Sequence, residues 1–241
     1  MQTSGAVGPS GHLGLRVIRN GQVMEDRDEE SRWPGRPAGL LDVMEHGMPQ
    51  RGLDPEVNRW RLSNVRNLMR GYRRVATARA LHLPHFYGQL WLTVFRGDGS
   101  VEELGLASMR LVTTAGVNFI ATRMVDAATS IGNFDFHGFG TGGTAEAIGD
   151  TALVTEETTQ YVVDNTRPTG TPTNPSANVY RSVGTYAPDS GTNPRPITEH
   201  GLFSASSGVT LLDRSLFSVV NLVPAVDSLQ ATYDFTIAAG G

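Results

Sequence analysis

The chain has 241 residues, 18% of them charged, with no Cys and a formal net charge of −4; all 20 basic residues are Arg. Without Lys there is no Walker-type phosphate loop and no Schiff-base chemistry, and without Cys there are no disulfides, thiolate nucleophiles, zinc–thiolate sites or iron–sulfur clusters. The net charge makes no general case for nucleic-acid binding, and a composition rich in Gly, Thr, Ser, Ala and Val suits strands and turns better than long solvated helices.

A chain of this length holds one large β domain, or one domain with a smaller appendage, and buries a core without staples. Its charge is unevenly divided. Residues 1–110 carry 15 Arg against 12 acidic residues, whereas residues 111–241 carry 5 Arg against 12. Residues 57–97 hold eight Arg and no Asp or Glu. This asymmetry predicts an N-terminal arm over 1–88 and a β-sandwich body over 89–241.

In chain order, residues 1–14 are polar and glycine-rich and lack the apolar run of a signal peptide. No stretch approaches the roughly 18 apolar residues of a membrane span, so a soluble protein made in the cytoplasm is expected. Leu13, Leu15 and Val17 alternate up to Asn20-Gly21, a preferred two-residue hairpin turn, and Gln22-Val23-Met24-Glu25 follows. Residues 27–52 are polar and dotted with Pro34, Pro37 and Pro49, which reads as an extended arm or linker. A helix comes next. Asp54 caps it, Pro55 opens it, and Val57, Val65, Leu68, Met69 and Tyr72 roughly follow the 3.6 period.

A second hairpin runs from Leu90, Leu92, Val94 and Arg96 through Gly97-Asp98-Gly99 to Val101 and Glu103. Its spacing matches the first, so an internal repeat is one reading and the common form of hairpins is the other. A short helix is predicted over 113–127, capped by Thr113 or Thr114, with Val117, Ile120, Ala121, Met124 and Val125 as its stripe. Strands are expected at 133–137 and 179–186, and a long surface loop at 167–176. The clearest strand is the last: Leu229, Ala231, Tyr233, Phe235 and Ile237 face one way, and Gln230, Thr232, Asp234 and Thr236 the other.

Several residues invite a chemical reading. Gly138, Gly140 and Gly143 fit G-x-G-x-x-G, with Asp164 about 20 residues on. The βαβ setting is missing, so a turn needing positive φ is the better reason for the glycines. His82 and His85 sit three apart without acidic neighbours in sequence. His137 and His200 lie in the most motif-like segments, placed to meet across a sheet, where such rings usually bond backbone carbonyls. Ser204, Ser206 and Ser207 are not in a nucleophile elbow. The carboxylate pairs Glu156-Glu157 and Glu146/Asp150 show no reason for a raised pKa.

The arginine-rich segment carries the candidate interface: Arg59, Arg61, Arg66, Arg70, Arg73, Arg74 and Arg79, with Trp60 and Tyr72. Arginines beside aromatics suit phosphates and bases, and equally suit protein interfaces. With an acidic body in the same chain, docking on an acidic protein neighbour is the favoured reading.

Five segments stand out in order: Leu-Val-Thr-Thr-Ala-Gly-Val-Asn (111–118), His-Gly-Phe-Gly-Thr-Gly-Gly-Thr-Ala-Glu-Ala-Ile-Gly-Asp-Thr-Ala-Leu (137–153), Ile-Thr-Glu-His-Gly-Leu-Phe (197–203), Leu-Leu-Asp-Arg-Ser-Leu-Phe (211–217) and Asp-Ser-Leu-Gln-Ala-Thr-Tyr-Asp-Phe-Thr-Ile (227–237). Through them the C-terminal half resembles a group of tailed-phage virion structural proteins; residues 1–90 lie outside the resemblance. Where relatives often carry Gly-Gly-Thr before Leu-Leu-Asp-Arg, this chain has Gly208-Val209-Thr210. The resemblance implies a non-enzymatic particle component located in the virion. The leading form is a capsid decoration (cement) protein, and the alternative is a tail or baseplate part such as a fibre, collar or adaptor. An enzyme or nucleic-acid-binding protein is a third, weaker reading. The implied partners are the major capsid protein and copies of the chain itself, a trimer among the forms, or other tail proteins. No cofactor, metal, small-molecule substrate or membrane is expected. The expected fold is mainly β: an antiparallel β-sandwich, Ig-like or jelly-roll in style, with one short helix and an extended N-terminal arm.

Overall fold

The computed structural model describes residues 2–7, 13–19, 22–27, 40–83, 85–125, 134–158, 166–189, 191, 193–208 and 210–238. They belong to two compact units, Met1–Arg36 and Pro37–Gly241. The boundary predicted after residue 88 lies after Arg36 instead, because the arginine-rich helix packs on strands of the larger unit.

In the smaller unit, β1 (Gln2–Val7), β2 (Leu13–Arg19) and β3 (Gln22–Arg27) form an antiparallel sheet in that order. The pair β2/β3 is the predicted hairpin, with Arg19 opposite Gln22. Its turn, Asn20-Gly21, lies outside the described residues.

The larger unit opens with α1 (Leu40–Gly47) and α2 (Pro55–Ala80), followed by β4 (His85–Phe95), β5 (Val101–Leu111) and α3 (Thr114–Val125). Then come β6 (Phe136–Gly140), β7 (Thr171–Ser176), β8 (Val179–Tyr186), β9 (Arg195–Phe203), β10 (Leu211–Leu222) and β11 (Ser228–Ala238). The strands make two antiparallel sheets, ordered β5-β4-β11-β8-β7 and β10-β9-β6, so the unit is mainly β as expected. Leu90, Leu92, Leu229, Ala231 and Tyr233 of the first sheet share one core with Phe139, Ile197, Leu202, Leu212 and Phe217 of the second. Among the described residues no helix is long and apolar enough to cross a membrane.

The second hairpin forms as read. Gly99 takes φ +85, and the Asp98 carboxylate accepts from Ser100 N at 2.9 Å. The last strand is central, hydrogen-bonded to β4 and β8 over nearly its whole length. Its alternation holds for Leu229, Ala231, Tyr233 and Phe235, but Ile237 is 49% exposed while Asp234 and Thr236 are fully buried. Thr236 sits opposite Tyr87 of β4, whose ring belongs to a second apolar layer with Val43 of α1 and Leu68 and Val75 of α2. Both faces of that strand end are therefore covered, a tertiary effect that alternation alone does not report.

Three further expectations are corrected. The linker reading of 27–52 fails at 40–47, which is helical with Val43 buried; residues 28–39 lie outside the described residues. The loop at 167–176 contains β7, an exposed edge strand paired with β8. Pro172 and Pro175 are tolerated there because an edge strand has one side without ladder bonds. Helix α3 is capped by Thr113, whose Oγ1 accepts from Gly116 N at 3.0 Å and donates to Leu211 O at 2.7 Å. It rests on Gly116, Phe119 and Ile120 rather than on the whole predicted stripe, and Met124 is 78% exposed. The T-shaped contact of Phe119 with Phe134, at 5.0 Å, sets that rotation.

Candidate functional site

Helix α2 begins as predicted: the Asp54 carboxylate accepts from Glu56 N and Val57 N at 2.8 and 3.3 Å, and Pro55 fills the first turn. Its buried seam, however, is Val57, Arg61, Asn64, Leu68, Gly71 and Val75, in steps of four and three. Polar residues occupy the seam because α2 lies against edge strands β5 and β10. Arg61 Nε donates to Leu104 O at 2.9 Å, and Asn64 Nδ2 donates to Ala107 O at 2.7 Å. Asn64 Oδ1 accepts from Ser218 N at 2.9 Å, while Trp60 Nε1 donates to Ser218 O at 3.0 Å. The helix thus satisfies backbone groups that unpaired sheet edges would leave open. Gly71 is required there, since a Cβ would fall on the Met109 carbonyl oxygen.

The nine predicted interface residues accordingly separate. Arg61 is buried, and desolvation lowers its pKa against the opposing pull of Glu103. Trp60 and Tyr72 pack on the two cores. Arg70 reaches Glu146 at 3.3 Å, and Arg79 lies 5.5 Å over the Tyr87 ring. Arg59 pairs with Glu56 in solvent at 2.6 Å. Arg66, Arg73 and Arg74 are exposed, and their guanidinium groups make no hydrogen bond or ion pair among the described residues. Arg59, Arg66 and Arg73 are seven residues apart, so they form a line on the outer face with steps of about 10.5 Å. The fold leaves this line and Arg74 on the outer face and packs Trp60 and Tyr72 inward.

The five segments that carry the resemblance converge inside the larger unit. Glu146 pairs with Arg110, and its Oε1 also accepts from Leu216 N at 2.7 Å. Arg214 Nε donates to Glu199 at 2.7 Å, Nη1 to Asp150 at 3.1 Å and Nη2 to Thr144 O at 2.9 Å. Glu199 accepts in addition from the amides of Gly142, Val154 and Thr155 at 3.0, 3.1 and 2.8 Å. Asp234 is held by Arg181 at 2.7 Å and Asp227 by Arg96 at 2.9 Å. Asp213 accepts from the Tyr233 hydroxyl at 3.0 Å. Burial raises Asp213 to about 6, against the opposing influence of Arg110 and the Tyr233 bond. Each ion pair ties a loop or strand to another element, and Asp213 and Glu199 have no exposed surface on which to meet a substrate.

His137 and His200 meet across β6 and β9: His137 Nδ1 lies 2.9 Å from His200 Nε2, and His137 Nε2 lies 2.8 Å from Ser182 Oγ of β8. Both rings are buried, and the His200 ring stacks 6.1 Å from Tyr233. Side-chain partners replace the backbone carbonyls expected of such rings. His200 Nδ1 has no partner among the described residues. We assign the shared proton to His200 Nε2, which leaves an unmatched acceptor rather than an unmatched donor. Desolvation lowers His137 to about 3, and desolvation together with His137 holds His200 well below 6.5. The pair is neutral and bridges the two sheets.

The glycine motif has a different cause from the one expected. Gly138 and Gly140 lie in β6 without positive φ. A Cβ on Gly140 would meet Thr155 O, and one on Gly142 would meet the Glu199 carboxylate. Close approach, not a left-handed turn, is what requires Gly140 and Gly142, whereas a Cβ on Gly143 would meet open space; Asp164 lies outside the described residues. His85 Nδ1 lies 2.7 Å from Leu83 O, and Glu156 binds Arg167 at 2.6 Å. Among the described residues no three His, Asp or Glu gather as a metal site. Sequence reasoning missed Asn64, Arg110 and the role of Glu146, Glu199 and Arg214. The step of four and three from Val57 through Arg61 and Asn64 to Leu68 was the available signal for the first.

Compared with protein families, curated proteins and solved structures, the chain matches none.

Proposed function

We propose that this chain is a non-enzymatic structural component of a tailed-phage particle, acting as a capsid decoration protein present in many copies. The observation that carries the reading is the state of the charged residues in the five shared segments. Glu146, Asp150, Glu199, Asp213, Arg214, Asp227 and Asp234 are each bonded inside the fold. Charged groups bonded inside the fold in this way serve a scaffold, whereas a catalytic group needs a route to substrate. The outward charged feature of the larger unit is the arginine line of α2, which suits an acidic protein neighbour in the shell. This reading takes the two-sheet unit as a sandwich of Ig-like or jelly-roll style. The second reading, a tail or baseplate part, is favoured by Glu199-His200-Gly201-Leu202-Phe203, similar to an element of tail-collar and tail-fibre domains.

Quantitative mass spectrometry of purified particles tests both. Hundreds of copies per particle support decoration, and a symmetric ring of a dozen or fewer supports the tail. Absence from particles overturns both.

A further inference from the structure

We infer that the outward arginine face of α2 docks the acidic run at residues 25–30 of a second copy of this chain. The inference rests on the many-copy structural role proposed above and names the partner of its charged face. Arg66, Arg73 and Arg74 are exposed, and their guanidinium groups have no internal partner among the described residues. Between Val57 and Ala80 the helix has no carboxylate to neutralise them. Leu62, 66% exposed, lies on the same face between Arg59 and Arg66 and offers an apolar anchor.

The complementary charge is in the chain itself. Residues 25–30 read Glu-Asp-Arg-Asp-Glu-Glu, five carboxylates in six residues. No stretch of the larger unit gathers five carboxylates in six residues, and Glu146, Glu199, Asp227 and Asp234 are already held by arginines of their own unit. Reach agrees as well. Six residues extend over at most about 20 Å, enough to cover Arg66 to Arg74, which span about 12 Å of helix. A forked guanidinium pairs with a carboxylate through two parallel bonds, so such a run meets such a line with specific geometry. Nucleic acid is the weaker occupant. Trp60 and Tyr72, which would stack bases, pack inward, and a phosphate-binding strip without stacking aromatics lacks half of the usual single-strand platform.

The test is sedimentation velocity on the full chain at low and molar salt, with two charge-reversed proteins. One carries Arg66→Glu and Arg73→Glu; the other carries Asp28→Arg, Glu29→Arg and Glu30→Arg. The wild type should associate at low salt and dissociate as the screening length falls from about 10 Å to about 3 Å. Each variant alone should associate at least about tenfold more weakly, with an unchanged cooperative melt. Mixed together they should re-form complexes, because the reversed line of one then faces the reversed run of the other. A wild type that stays monomeric at low salt overturns the inference, as does a mixture that stays apart. So does a single-stranded oligonucleotide that binds the line more tightly than a second copy. Attachment of the wild type to purified shells is measured separately. Shell binding by a monomeric wild type would leave the particle role standing and remove only this contact.

Discussion

Lowering the pH from 7 to 5 places protons on His137 and His200 in the unfolded chain but not in the folded one. Desolvation holds the folded values at about 3 for His137 and well below 6.5 for His200. Folded values depressed in this way mean that the unfolded chain binds protons first, so stability is lost as pH falls through 6.5. His137 then removes about 2 kcal/mol over the interval, and His200 acts in the same direction. Asp213 acts with the opposite sign. Its folded value, raised by burial from 3.8 to about 6, lets the folded state take up the proton first. The stability it adds is present below 3.8 and lost as pH rises through 6, so it returns about 1 kcal/mol on going from pH 7 to 5. Asp234, raised by burial against the pull of Arg181, adds in the same direction as Asp213. The two histidines together outweigh Asp213, so stability falls over the interval. Asp213→Asn keeps an acceptor for Tyr233 but removes the titrating group, so its loss should grow by about 1 kcal/mol. Urea unfolding followed by tryptophan fluorescence at pH 7, 6 and 5 measures both. A wild type of constant stability over this range, or an Asp213→Asn protein with the shallower pH dependence, refutes the reasoning.

Asn64→Ala should cost about 2–4 kcal/mol, because Ala107 O and Ser218 N each lose their partner at a buried sheet edge, whereas Arg66→Ala should stay within about 0.5 kcal/mol; chemical denaturation of the two proteins checks the contrast. Arg214→Met should lower stability by about 3–5 kcal/mol by leaving Glu199 buried without its cation, and a variant that unfolds like the wild type would show that the three amides suffice to hold Glu199. Gly71→Ala improves intrinsic helix propensity by about 1 kcal/mol, yet the melt should fall because the new Cβ meets the Met109 carbonyl oxygen; Gly143→Ala, with open space around it, is the neutral control. On the last strand, Tyr233→Asp and Thr236→Asp should both abolish soluble expression, since both positions are fully buried, while the half-buried Thr232→Asp should be tolerated better.

Local chemistry determined what could be read from the sequence. The Asn-Gly and Gly-Asp-Gly hairpins, the Asp54-Pro55 helix start, the Thr113 cap and the inward set Leu229, Ala231, Tyr233 and Phe235 follow from turn, cap and period rules acting on neighbouring residues. The meeting of His137 with His200 was also legible. Tertiary structure decided the rest. Which side of α2 is buried depends on two distant sheet edges whose carbonyls and amide need Arg61, Asn64 and Trp60, and an apolar-period rule gives no weight to such partners. Gly140 of β6 is explained by Thr155 and Glu199, 15 and 59 residues away along the chain, because only the packed sheets bring those oxygens close. Asp234 and Thr236 were read as the wet face of a strand, but the layer of α1 and α2 over β4 and β5 covers that end of the sheet. Charge followed the same division: composition counted the arginines of α2, and the fold separated those that seal its own edges from those left in solvent.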